Sequence, residues 1–341
     1  MNSQVIEMAN EILIEQVDQA VEAILANPDA LLPNVTDEVA PLLHVAVALR
    51  DLPREDFKAR LKNDLERSTS MATEAKLAEA DKTKTVSSIR EGFRTVTPYL
   101  VVANLHEEID FIKKVFGAEG KIYGLGSAGG FHSEYKIGDS MLMIGGGGKG
   151  SKWQGTPMPA SLHLYVEDID AVYERALQAG ATSLHAPMDQ EYGERSAAFL
   201  DVGGNHWYPA THLGAHYIPE GLQNLMAYLH PRGAAKQIDF LKEALGAEEV
   251  FRHQAPDGII YHAKVRIGNS IVEMGEAHGQ WQPMPGMFML YVDDVEAWYA
   301  RAMKAEGAIS MGEPKDQSYG RVGAVKDPFD NLWYIASQSG A

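Results

Sequence analysis

The chain states one pattern twice. Tyr165-Val166-Glu167-Asp168-Ile169-Asp170 returns as Tyr291-Val292-Asp293-Asp294-Val295-Glu296, and Phe116-Gly117-Ala118-Glu119 returns as Leu245-Gly246-Ala247-Glu248. Asp201 with Asn205-His206-Trp207-Tyr208 returns as Asp327 with Asn331-Leu332-Trp333-Tyr334. The offsets run from 126 to 130 residues, so two modules of roughly 115 residues share a plan. An internal repeat constrains architecture before any local propensity does. It also marks the positions at which the copies differ.

The 341 residues leave about 95 ahead of the first module, and length alone predicts two to three domains. With no cysteine, disulfides, thiolate metal sites and cysteine nucleophiles are excluded. No stretch approaches 18 apolar residues, so nothing reads as a membrane span. The start, Met1-Asn2-Ser3-Gln4, has no basic stretch ahead of an apolar run, and the chain reads as cytoplasmic. A net charge of −17 opposes a nucleic-acid partner, because a phosphate backbone needs a positive face.

Val5, Met8, Ile12, Val17, Val21 and Ile24 recur at helical spacing, and Phe57, Leu61 and Leu65 form a stripe after Pro53. Residues 1–67 therefore read as a helical N-terminal domain, able to serve as a homodimer contact or as a dock for a protein partner. Residues 68–94 read as a polar linker. From Thr95 strands alternate with helices. Residues 95–213 form the first module and 222–338 the second, each a strand–helix–hairpin order stated twice. Gly138-Asp139 and Gly268-Asn269 supply matching two-residue hairpin turns. The run Gly145 to Gly150 looks like a phosphate loop, but Trp153 and prolines follow it instead of Lys-Ser/Thr opening a helix. A flap over a pocket suits it better.

Thr97-Pro98-Tyr99-Leu100-Val101-Val102, Phe116-Gly117-Ala118-Glu119, Ile137-Gly138-Asp139-Ser140 and Leu162-His163-Leu164-Tyr165-Val166 resemble the vicinal oxygen chelate superfamily, which holds glyoxalases, bleomycin-resistance proteins and extradiol dioxygenases. Within it the PhnB-like branch is the most similar. The second module carries the same order in Ile267-Gly268-Asn269-Ser270 and Asp327-Pro328-Phe329-Asp330-Asn331. The resemblance covers about residues 95 to 338. It implies an α+β fold of two tandem glyoxalase-like modules, paired βαβββ units with curved mixed sheets, after an all-α N-terminal domain.

The resemblance also implies a divalent metal held from four strands. The equivalent positions are Thr97, Met143, Ser161 and Tyr208 in one module and Met226, Glu273, Met287 and Tyr334 in the other. Only Glu273 is an ordinary ligand for Zn, Mn, Ni or Fe, so no cofactor is expected. A divalent metal enters only if the protein is an enzyme.

Side chains two apart on a strand share a face. Ser161 therefore brings His163 and Tyr165 inward, and Met226 brings Tyr228 and His230. If the modules pair as in glyoxalases, cleft A combines Thr97, Met143, Met287 and Tyr334, without acid or imidazole. Cleft B combines Met226, Glu273, Ser161 and Tyr208, with His163 and His230 beside them. Glu273 and His163 are then the acid–base candidates, and Ser161, Tyr165, Tyr208, Met226, Tyr228, His230, Met143 and Tyr334 the ligand-binding ones. Lys264 or Arg266 could instead neutralise Glu273 across its hairpin. His132 and Glu134 share a strand face, as a weak metal pair or an edge feature. Arg195 and Arg321 either anchor loops or meet an anionic ligand. The expected function is binding of a small, largely apolar molecule without the usual metal. The alternatives are a lyase or dioxygenase using Glu273, His163 and His230, and a scaffold docking a partner through its leader.

Overall fold

The computed structural model describes residues 89–125, 129–279 and 281–338, all within one compact unit, Val86–Ala341. The expected helical domain, and the homodimer or partner contact assigned to it, lie outside the described residues. Among those residues no helix is long and apolar enough to cross a membrane.

The first module runs β1 (Val96–Val102), α1 (Leu105–Phe116), β2 (Glu119–Leu125), β3 (Phe131–Ile137), β4 (Ser140–Gly146), β5 (Ser161–Tyr165), α2 (Ile169–Gln178), β6 (Thr182–Gln190), β7 (Glu194–Leu200) and β8 (His206–His212). The second repeats it as β9 (Leu225–Leu229), α3 (Ala234–Leu245), β10 (Glu248–Gln254), β11 (Ile260–Ile267), β12 (Ser270–Met274), β13 (Met287–Tyr291), α4 (Val295–Ala302), β14 (Ile309–Gln317), β15 (Gly320–Lys326) and β16 (Leu332–Gln338). Each half-module is thus a full βαβββ unit. Its outermost strand, β2, β6, β10 or β14, has mostly exposed or half-exposed residues. None shows the alternation of a half-buried strand, so sequence spacing does not reveal them.

The half-modules exchange partners. One sheet has the order β14-β15-β16-β13-β1-β4-β3-β2 and the other β10-β11-β12-β9-β5-β8-β7-β6. Each joins the first half of one module to the second half of the other through an antiparallel seam. Thr97 faces Met289 across one seam, and Ser161 faces Tyr228 across the other. On either side of each seam the next pairing is parallel, β1 with β4 and β5 with β8 for example.

The helices do not exchange. Leu100 of β1 and Leu162 of β5 share one core with Ile109 and Ile112 of α1 and Val172 of α2, although their strands belong to different sheets. Leu229, Phe288, Ile238 and Val295 do the same in the second module. Helix packing thus unites each module while strand pairing crosses between modules, leaving the two helix-free sheet faces to line clefts.

The hairpin turns lock the seams. Asp139 N–H donates to Asn224 Oδ1 at 2.9 Å, and Thr95 N–H donates to Asn269 Oδ1 at 2.8 Å. Gly138 and Gly268 have φ of 58° and 57°, a left-handed conformation that favours glycine. A Cβ on them would also stand 2.3 Å from Asn224 and 2.2 Å from Thr95. Each turn therefore serves the seam as well as its own hairpin.

Candidate functional site

The cleft on the β5–β12 sheet is a cavity of about 820 Å³. Strand alternation places its floor. Glu273 lies beside Tyr228 in the parallel β12–β9 register, and His163 lies beside Tyr208 in the β5–β8 register. Four strands from two modules therefore aim these groups into one space.

Glu273 is fully buried, and His163 Nδ1 meets its Oε2 at 2.6 Å. Lys264, paired with Glu273 across the hairpin, places Nζ 3.0 Å from Oε1. That contact lacks hydrogen-bond alignment, so Oε1 is paired electrostatically and accepts no hydrogen bond. His262 Nε2 stands 4.0 Å from Oε2. Burial pushes Glu273 upward, but His163, His262 and Lys264 outweigh it and hold the carboxyl far below its usual range. Burial likewise pushes His163 down, and Glu273 and Glu194 outweigh it, leaving its pKa raised. Both directions favour an imidazolium beside a carboxylate.

The walls are aromatic. Tyr208 OH contacts His230 Nε2 at 2.9 Å, and the Tyr208 and Tyr228 rings lie 5.1 Å apart. Burial, helped by His206 and His278, pushes His230 down to about 4, so it is a neutral ring whose buried Nδ1 has no partner. Burial raises both tyrosines, Tyr228 strongly. Gly275 makes room here, since a Cβ would stand 2.8 Å from Tyr228 OH; Gly145 does the same for Tyr99 in the other cleft.

Of the candidate residues, Glu273, His163, Tyr208, Tyr228 and His230 line this cavity. Ser161 is buried against Met284, its Oγ 3.1 Å from Sδ. Tyr165 and Met226 are packed with Ile271 and Leu222 and serve as core. Met143 and Tyr334 lie in the other cleft with Met289 and Tyr291.

That other cleft differs from expectation. Glu134 sits opposite Met143 and His132 opposite Gly145, so both face inward. Arg90, at the end of the expected linker, reaches in to hold Glu134, with Nη2 2.9 Å from Oε2 and Nη1 3.2 Å from Tyr291 OH. Phe93 packs beside Met143 and Tyr291. Cleft A thus holds an acid, an imidazole and a guanidinium, with Arg90 and Phe93 of the chain itself reaching into it. Arg195 pairs with Asp170 and Asp189, and Arg321 with Glu296 and Asp316; both anchor loops.

Spacing did not single out Trp281 or Glu194, which also line cleft B. Trp281 had a signal, because Trp153-Gln154 with Pro157-Met158-Pro159 returns as Trp281-Gln282-Pro283-Met284-Pro285. Glu194 had none. It accepts from Tyr165 OH at 2.6 Å.

The profile of the Glyoxalase/Bleomycin resistance protein/Dioxygenase superfamily matches residues 231–335. An uncharacterized protein of Mycobacterium bovis is 34% identical over 130 residues, which cover 33% of this chain and 79% of that protein. An uncharacterized protein of Mycobacterium tuberculosis has the same identity and span, covering 71% of its length. The chain belongs to the glyoxalase/bleomycin resistance/dioxygenase superfamily. In fold it is similar to glyoxalase I from Zea mays, at 14% identity and a TM-score of 0.56 over 72% of this chain and 92% of that one.

Superfamily membership raises the question of a metal, and the donor set answers it. In cleft B the four strand positions hold Met226, Glu273, Ser161 and Tyr208, and in cleft A Thr97, Met143, Met287 and Tyr334. Glu273 is the single ordinary ligand among them, and a lysine ammonium already stands on it. Among the described residues no three His, Asp or Glu side chains gather at ligating spacing. The residues do not fit the group.

Proposed function

We propose that the protein binds a small, largely apolar molecule in cleft B without a divalent metal. The observation that carries this reading is a cavity of about 820 Å³ with aromatic walls, over a carboxylate already neutralised by His163 and Lys264. Volume and lining match small-molecule sites, which are mainly apolar with a few placed polar groups. An acid–base enzyme is less well supported. His163 and Glu273 are already joined as an ion pair, and His230 is engaged with Tyr208 instead of with them.

The test is metal analysis together with thermal shift. Purified protein should hold well under one equivalent of Zn, Ni, Mn or Fe, and some members of a panel of neutral aromatic compounds should raise its melting temperature. Stoichiometric metal that Glu273→Ala removes would overturn the reading, as would a panel without any shift.

A further inference from the structure

The two clefts are near-inverse images, and in one the chain's own Arg90 meets the buried acid. In cleft A the hairpin pair is Glu134 opposite Met143; in cleft B it is Lys264 opposite Glu273. Cleft A presents an acceptor, and Arg90 answers it with a planar group of donors lying 4.3 Å over the Phe93 ring. In cleft B the corresponding segment before β9 places Tyr217, Ile218 and Leu222 against Tyr165 and Met226. It sends Glu220 to the cavity wall, but among the described residues no ion pair joins Glu220 to Lys264, and the space between them stays open.

Lys264 therefore lines the cavity with its ammonium ion-paired to Glu273 but free to donate elsewhere. Its side chain is 17% exposed, and its one ion pair among the described residues, with Glu273, is not an aligned hydrogen bond. An ammonium carries three donors and no acceptor, so a ligand must bring an acceptor oxygen to satisfy it. A wholly apolar ligand would dehydrate it without compensation, which is costly. Lys264, Arg266 and His163 share the cavity lining with four carboxyl groups, Glu194, Glu220, Glu273 and Glu276. That balance favours a neutral oxygen over a further ionised one. Tyr208, Tyr228 and Trp281 rings around it suit a flat aromatic body.

Resting on the cleft B reading above, we propose that its ligand is a planar, multi-ring aromatic bearing a carbonyl oxygen, and that Lys264 Nζ donates to that oxygen.

A matched pair of probes tests this. 2-Acetylnaphthalene and 2-ethylnaphthalene have nearly the same shape and differ in the carbonyl. Both are titrated into the full chain and followed by tryptophan fluorescence. The ketone should bind about 10-fold or more tightly, the effect of one hydrogen bond from a charged donor. Lys264→Met should bring the ratio to near one, raising 2-ethylnaphthalene affinity as the dehydration cost disappears and lowering that of the ketone, and Lys264→Arg should keep most of the preference. The infrared carbonyl stretch of the bound ketone should fall in frequency in the wild-type protein, a readout that needs no variant to fold. Equal affinities in the wild-type chain, or a preference that survives Lys264→Met, would overturn the assignment. If 2-ethylnaphthalene binds but the ketone gains nothing, only this inference fails; if neither binds, the apolar-site reading fails with it.

Discussion

Glu108→Gln should stabilise the protein, by an amount that grows with pH. Glu108 on α1 is fully buried, and neither of its carboxyl oxygens has a hydrogen-bond partner. It faces Asp201, which is saturated with donors: Gly203 N–H at 2.9 Å, Asn205 N–H at 2.8 Å, Asn205 Nδ2 at 2.9 Å and Trp207 Nε1 at 2.6 Å. The second module shows how the same arrangement is satisfied by an amide. There Gln237 Nε2 donates to Asp327 Oδ2 at 3.0 Å, and its Oε1 accepts from Asn331 Nδ2 at 3.1 Å. A glutamate in that place can donate to Asp201 only when protonated. Burial first, and the Asp201 charge second, raise the Glu108 pKa well above 4.5.

Folding therefore takes up a proton wherever the unfolded Glu108 is ionised and the folded one is not. Full stability is present below the unfolded value of 4.5 and is lost as pH rises toward the folded pKa. The slope is about 1.4 kcal/mol per pH unit for one proton. Glutamine removes that slope. For a unit of this size 1 kcal/mol moves the melting temperature by about 2–4 °C, so the gap between variant and wild type should widen by roughly 3–6 °C per pH unit. Thermal melts from pH 5 to 8 read it directly, because titrations away from the Glu108–Asp201 pair are common to both proteins. Parallel curves, or a destabilised variant, would refute the shared proton.

The ion pairs give two further predictions. Glu273→Gln leaves His163 and Lys264 facing each other without their anion and should cost about 3–5 kcal/mol by urea unfolding. His163 has a raised pKa, so the stability it contributes is present below its ordinary 6.5 and lost as pH rises through the raised value. The deficit of His163→Gln should accordingly shrink from pH 6 to 9, and a constant deficit would mean that its charge is not involved. Arg90→Ala leaves Glu134, which is 5% exposed, with His132 and Tyr123 but no guanidinium, and should cost about 1–3 kcal/mol, with Arg90→Lys recovering part of it in the same assay.

What the chain disclosed in advance divides by the kind of force involved. Strands β1, β4, β5 and β9 were legible because burial on both faces makes them apolar runs bounded by turns, and the repeat doubled every such signal. The family resemblance left pairing across modules and closure of each module on itself both open; the seams of Thr97 with Met289 and Ser161 with Tyr228 show the first. Period-two alternation brought His163 and Glu273 together from positions 110 residues apart, because a rigid sheet transmits facing faithfully. Alternation could not say which inward residues border space. Tyr165 and Met226 point inward as reliably as Tyr208 does, yet Leu222 from the inter-module segment covers them.

The same blindness hid Arg90. It lies in a polar segment with no periodicity, and its role exists only because Glu134, 44 residues on, is buried without another strong cation. Glu108 was hidden differently: its position on an amphipathic helix reads as an ordinary acidic residue among Glu107 and Asp110. Only the second copy's glutamine shows that an amide donor belongs there. Repeat comparison is therefore most informative where the copies disagree at a buried polar position. At such a site one copy supplies the satisfied chemistry, and the other shows which group, a proton at Glu108 or an acceptor at Lys264, must come from elsewhere.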